Sequence, residues 1–113
     1  LEKMAELAAT GCYMEHDLFG FEDTSLVYLG EYNDMKSDAQ RIEALEFLTA
    51  NGYLDQILVA QDVCQRRQLS RLGGKGYAHL LENIVPRLKS RGFTANQIDT
   101  ILINNPARAL AFK

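Results

Sequence analysis

The sequence predicts an α/β protein built on parallel strands, and three observations carry that expectation. The run Ile57 to Asp62 stays apolar until it ends on a polar pair, as a buried strand does when it delivers a carboxylate to its C-terminal edge. The order helix, strand, long loop, helix, strand, loop, helix implies strands joined by right-handed crossovers. With 113 residues, 47% of them hydrophobic, the chain suits one small ordered domain with a modest core.

The elements follow in order. Leu1, Met4, Ala5, Leu7 and Ala8 recur at helical spacing, and Gly11 supplies the stop. The chain starts in the body of this helix with no cap and no initiator methionine, so it is expected to be the tail of something larger. A short strand from Cys12 to His16 ends at Asp17, and Leu18 to Lys36 is expected to be a connector, a long one. Ser37 and Gln40 form a capping-box pattern ahead of the stripe Ala39, Ile42, Leu45 and Leu48, which closes at Asn51-Gly52.

The second strand is placed from Gln56 to Ala60, followed by a loop from Gln61 to Tyr77. Leu80, Leu81, Ile84, Val85 and Leu88 then mark a buried helical face that ends at Arg91-Gly92. Pro86 allows two readings: a kinked helix, or a short first segment with Pro86 opening a second one, where its missing N–H does no harm. Thr94 and Gln97 form another capping box before Ile98, Ile101 and Leu102, and Asn105-Pro106 is read as capping a last short helix through Phe112. Parallel sheets are normally covered on both faces, so two strands with helices on one side call for further strands from the rest of the protein.

A formal charge of -3 argues against nucleic acid or an anionic membrane as partner, since the one basic cluster, Arg66, Arg67 and Arg71, is short. No apolar run approaches the roughly 20 residues that span a bilayer. Cys12 and Cys64 form no Cys-x-x-Cys pair and are read as reduced, buried thiols of a cytoplasmic protein.

Asp62 is the first functional candidate, because parallel α/β folds place their chemistry at the carboxyl ends of strands. Strand parity sets Leu58, Ala60 and Asp62 on one face and Ile57, Val59 and Gln61 on the other, toward helices. A rim aspartate can both ligate a metal and accept a proton from the water that the metal activates. The bland alternative is a strand-end aspartate that caps the loop or helix beyond it. Glu15 and Asp17 share a strand face and could both point inward at the rim, or form buried ion pairs.

Gly73, Gly74 and Gly76 lack the Ser or Thr of a Walker motif, so phosphate binding is not expected of them. They would let the loop fold over a pocket mouth and bring Tyr77 or His79 toward substrate, with surface flexibility as the plainer account. His16 and His79 sit at no ligand spacing with each other or with a cysteine, and a structural role is the default for each.

Four blocks in order, YMEHDLFG from Tyr13, ILVAQD from Ile57, GGKGYAHLLENIVPRL from Gly73 and ILINNPARAL from Ile101, carry a resemblance. The chain resembles the C-terminal third of phosphotriesterase-related proteins, a branch of the phosphotriesterase family in the amidohydrolase superfamily. The resemblance implies the C-terminal part of a (β/α)8 TIM barrel, with its last two strands and their helices, and residues 1–113 as one segment of a single metal-dependent hydrolase domain. It further implies two divalent metal ions, usually zinc, with Asp62, at the end of the eighth strand, as metal ligand and catalytic residue; the strand that ends near His16 is then the seventh. The other ligands, a His-x-His pair, a bridging lysine or glutamate and two further histidines, would lie upstream of Leu1.

The pattern departs at two places. Relatives more often carry histidine or asparagine where Gln61 stands, and more distant phosphotriesterases carry histidine where this chain has Leu18, which argues against organophosphate hydrolysis. The resulting expectation is a binuclear-metal hydrolase acting on an ester, lactone or N-acyl amide bond of a small-molecule substrate, with the possibility of a homodimer. A metal-free barrel that binds small molecules is the alternative. A free-standing module is the third reading, and it would need self-association to cover its sheet edges.

Overall fold

The computed structural model describes residues 1–22 and 25–112, with the backbone alone for 25–28. Helix α1 (Glu2–Ala8) leads into strand β1 (Met14–His16), and Gly11, at φ +85°, makes the left-handed turn between them. Strands β2 (Ser25–Tyr28) and β3 (Glu31–Asp34) form an antiparallel hairpin, then come helix α2 (Asp38–Ala50) and strand β4 (Ile57–Val59). Helices α3 (Val85–Ser90), α4 (Ala95–Asp99) and α5 (Asn105–Ala109) complete the described chain.

Strands β1 and β4 pair in parallel, with Met14 opposite Ile57 and His16 opposite Val59. The ladder continues past both: the Ala60 N–H donates to His16 O at 3.0 Å, and the Phe19 N–H to Ala60 O at 3.2 Å. The expected parallel crossover is therefore present, with α2 as the crossover helix. Ser37 caps α2 through its side chain and Gln40 reaches back to the Ser37 N–H, so the predicted capping box forms, as does the one at Thr94 and Gln97.

One core lies between the strand pair and the helices. Ile42, Leu45 and Leu48 of α2 meet Ile57 of β4, and Phe19, Ile84, Leu88, Phe93, Ile98 and Ile101 complete it. Val59 packs partly into this core while Leu58 and Ala60 are half-buried and Glu15 is exposed on the other face, as parity requires. Gln56 ties the layers together, donating from Nε2 to Ala8 O at 2.8 Å and to Cys12 O at 3.0 Å.

Several expectations need correction. The connector Leu18–Lys36 contains the β2–β3 hairpin, whose turn residues Leu29 and Gly30 both take positive φ, as a two-residue hairpin turn demands; residues 23 and 24 of that connector lie outside the described residues. Leu81 is 64% exposed, not buried. Residues Leu80–Ile84 form a π turn, which stacks Leu80 and Ile84 on one face and carries Leu81 outward.

Pro86 follows that π turn inside an unbroken helical run, and it occupies the first turn of α3. Asn105 caps nothing: Asn104 and Asn105 both have helical dihedrals, and a second π turn, Thr100–Asn104, precedes Pro106 in the same way. Each proline lacks an N–H and crowds the carbonyl four residues back, and a widened turn just ahead relieves both defects. Both cysteines are free, but Cys64 is exposed and only Cys12 is half-buried.

Candidate active site

Both parallel strands end in a residue with left-handed backbone, Leu18 at φ 61° after β1 and Asp62 at φ 49° after β4. Such conformations are uncommon outside glycine, though aspartate tolerates them better than leucine. The turn at Asp62 takes its backbone out of the extended form, so strand parity alone does not set the direction of its side chain. Asp62 is exposed, and among the described residues its carboxylate accepts no hydrogen bond and joins no ion pair.

The capping role open to a strand-end aspartate is performed by another residue. Gln68 accepts from the Cys64 N–H at 2.9 Å and the Gln65 N–H at 2.7 Å through Oε1, and its Nε2 donates to the backbone oxygen of Asp62 at 3.1 Å. Gln68 thus holds the turn and leaves the Asp62 carboxylate uncommitted. Gln61 turns to the helix side, where its Nε2 donates to Tyr77 O at 2.5 Å.

Between the segment after β1 and the glycine loop lies a cleft of about 390 Å³, whose lining does not include Asp62. Gln61 and Val63 flank Asp62 in sequence and both line the cleft, with Phe19 and Phe21 on one wall and Gly74 and Lys75 on the other. The glycines serve close packing. A Cβ on Gly74 would come within 2.3 Å of the Gln68 carbonyl, and one on Gly20 within 2.8 Å of the His79 ring.

Tyr77 is 70% exposed and lies off the cleft wall. His79, expected to line the pocket with it, is buried at 3% exposure. Its Nε2 lies 2.7 Å from Asp38 Oδ2, and its Nδ1 faces the Asn83 amide at 3.1 Å. The ring is fully committed inside the fold and has no face on the cleft.

Asp38, which the sequence reading passed over, is the centre of a buried network. Its carboxylate, at 0% exposure, accepts from the Gly20 N–H at 2.8 Å and pairs with Arg41 at 3.4 Å, while Arg87 approaches the second oxygen to 3.7 Å. Arg41 is also buried. It donates to Asp17 O at 3.0 Å and Phe21 O at 3.4 Å, and to Lys36 O. The spacing Asp38-x-x-Arg41 on the first turns of a helix was the available signal, but nothing in the sequence says that this charged pair faces inward. Together the two residues hold both ends of the β1-to-α2 connection and so shape the cleft wall.

His16 ends β1 on the core side. Burial, reinforced by the positive charge of Lys36 and opposed by Asp17, lowers its pKa, and its Nε2 is buried without a partner among the described residues. Glu15 and Asp17 are exposed within this chain, and neither joins an ion pair among the described residues. Among the described residues no three or more His, Cys, Asp or Glu side chains gather as a metal site. A single open carboxylate, Asp62, fits one position of a ligand set that must number three or four protein donors.

The family model for the phosphotriesterase family matches residues 1–110. The chain belongs to the phosphotriesterase family. An N-acetyltaurine hydrolase from Danio rerio is 49% identical over 98% of this chain, and a phosphotriesterase-related protein from Nematostella vectensis is 50% identical over 98%. The chain spans about a third of the length of these relatives, 32% and 31%.

Among solved structures, a resiniferatoxin-binding protein from Rhodobacter sphaeroides superposes with a TM-score of 0.83 at 34% identity, covering 92% of this chain and 28% of that one. The phosphotriesterase homology protein of Escherichia coli, with phosphate in its active site, gives 0.80 at 28% identity over 96% of this chain and 33% of its own. A lactonase from Listeria monocytogenes gives 0.77 at 27%, over 99% and 32%. With these neighbours, the two parallel strands and their helices are part of a (β/α)8 barrel, and the cleft lies at the strands' carboxyl ends, where such barrels carry their sites.

Proposed function

We propose that this chain is the C-terminal segment of a single barrel domain that hydrolyses an ester, lactone or N-acyl amide bond in a small molecule. The observation that carries the reading is the open Asp62 carboxylate at the C-terminal end of a parallel strand, in a member of a family whose relatives include an N-acetyltaurine hydrolase and a lactonase. Two divalent cations, with zinc as the expected metal, would polarise the scissile carbonyl and bring water to nucleophilic strength at neutral pH. Asp62 would hold one of them and take up the proton that the attacking water gives up. The cytoplasm as compartment belongs to the same proposal, supported by two free cysteines; among the described residues no helix is long and apolar enough to cross a membrane.

The 113 residues by themselves carry one of the expected ligands and are expected to be inactive. The complete protein should lose at least about 100-fold of its turnover of N-acetyltaurine or a lactone on dialysis against a chelator, and regain it with added zinc. Full activity in metal-free protein would contradict the proposal. A second reading, a barrel that binds small molecules without catalysis, draws support from the likeness to the resiniferatoxin-binding protein. Ligand binding by a complete protein that holds no metal and turns nothing over would favour it.

A further inference from the structure

An aspartate at the end of a strand has a local use for its carboxylate: it accepts the N–H two residues on and closes an Asx turn. For Asp62 that donor is Cys64, and Gln68 has taken it. The Gln68 Oε1 accepts the Cys64 N–H at 2.9 Å and the Gln65 N–H at 2.7 Å. The same amide donates from Nε2 to Asp62 O at 3.1 Å, so one side chain uses the donors that the carboxylate would have sought and grips the residue by its carbonyl. That grip falls on a left-handed backbone, φ 49°, which a residue other than glycine keeps only where its surroundings over-determine it.

Gln68 is itself fixed by the glycine loop. Its carbonyl accepts the Gly76 N–H at 2.8 Å, and Gly74 lies so close that a Cβ there would come within 2.3 Å of the same carbonyl. On the other side of Asp62, Gln61 donates from Nε2 to Tyr77 O at 2.5 Å. The loop is thus fastened back onto the strand end on both sides of Asp62, while the carboxylate stays exposed with no hydrogen bond or ion pair among the described residues.

We infer that Gln68 is a positioning residue for Asp62: by occupying the Cys64 and Gln65 N–H groups it keeps the Asp62 carboxylate from folding back as a cap and leaves it free to serve the proposed metal centre. Without the Gln68 amide, the carboxylate closes on those N–H groups and is withdrawn. The inference rests on the hydrolase reading for what the free carboxylate does, and on the loop geometry alone for what holds it free.

The complete protein, stripped of metal with a chelator, offers a readout free of catalysis: amide hydrogen exchange at Cys64 and Gln65. Asp62→Ala alone should leave their protection as in the parent, because Gln68 holds both. In Gln68→Ala the two amides should stay protected to within about threefold as Asp62 takes them over, and in the double variant protection should fall by a further factor of about five or more. Equal exchange in Gln68→Ala and in the double variant overturns the inference, because the carboxylate has then not moved onto those amides. In the metal-loaded protein, Gln68→Ala should lower kcat for N-acetyltaurine or a lactone by at least about tenfold, with KM within about twofold of the parent, and weaken zinc binding by a similar factor. Parent values of kcat and zinc affinity in Gln68→Ala overturn it as well. If the complete protein hydrolyses neither substrate, the hydrolase reading fails, and the exchange comparison alone decides the role of Gln68.

Discussion

Asp38 and Asp62 carry the same side chain in opposite surroundings. Asp62 is exposed with its carboxylate open, whereas Asp38 is sealed at 0% exposure among the Gly20 N–H, His79, Arg41 and Arg87. Removing a buried charge leaves its partners unpaired, so Asp38→Ala should destabilise the protein by about 3–5 kcal/mol. Denaturant unfolding of the complete protein measures this, and a change below about 1 kcal/mol would show that the network contributes little. Asp62→Ala, by contrast, removes no hydrogen bond among the described residues and should leave stability nearly unchanged. Sequence singled out Asp62 because an apolar run points at it; it gave no sign of Asp38, because the burial of an acid on the first turn of a helix depends on what the next loop lays over it.

At the scale of elements, patterning was most legible where local chemistry decides the outcome. Helix α2 was readable from its capping box and its Ile42, Leu45, Leu48 stripe, and β4 from an apolar run bounded by polar residues. The β2–β3 hairpin was not, because strands of four residues with an exposed, acid-rich second strand carry too little alternation to stand out. The two π turns were also hidden, since a heptad-like stripe assumes regular turns and an inserted residue rotates the face that follows it. They explain how Pro86 and Pro106 sit within helical runs.

The same region makes a testable claim about Asn105. It is fully buried, and its Nδ2 donates to both Leu54 O and Ile57 O at 2.8 Å, fastening α5 to the start of β4. Asn105→Ala strands two carbonyl oxygens at the edge of the core and should cost about 2–4 kcal/mol, read as a fall in melting temperature. Asn105→Asp should cost at least as much, because the replacement removes both donors and buries a charge beside two carbonyl oxygens. A melting temperature within a degree or two of the parent for either variant would mean the tether is dispensable.

At the scale of the whole molecule, two parallel strands with helices on one side form an arc of a barrel, and the second face of the pair carries Glu15, Leu58 and Ala60 without cover from the described residues. The family match over residues 1–110 and relatives about three times as long account for that face as the inner wall of a complete (β/α)8 barrel. The barrel's segment was readable from the sequence through four ordered blocks of residues. The composition of the cleft was not, because Arg67 meets Phe21 only after the chain folds back over more than 40 positions.

The central claim is that Asp62 works at the catalytic centre of that barrel. Its most direct test is kcat for hydrolysis of N-acetyltaurine or a lactone by the complete protein and by Asp62→Asn, with bound metal counted in both. The account predicts a loss of at least about 100-fold in kcat together with a lower metal content, at unchanged melting temperature. A variant that keeps its metals and works within about twofold of the parent would contradict it.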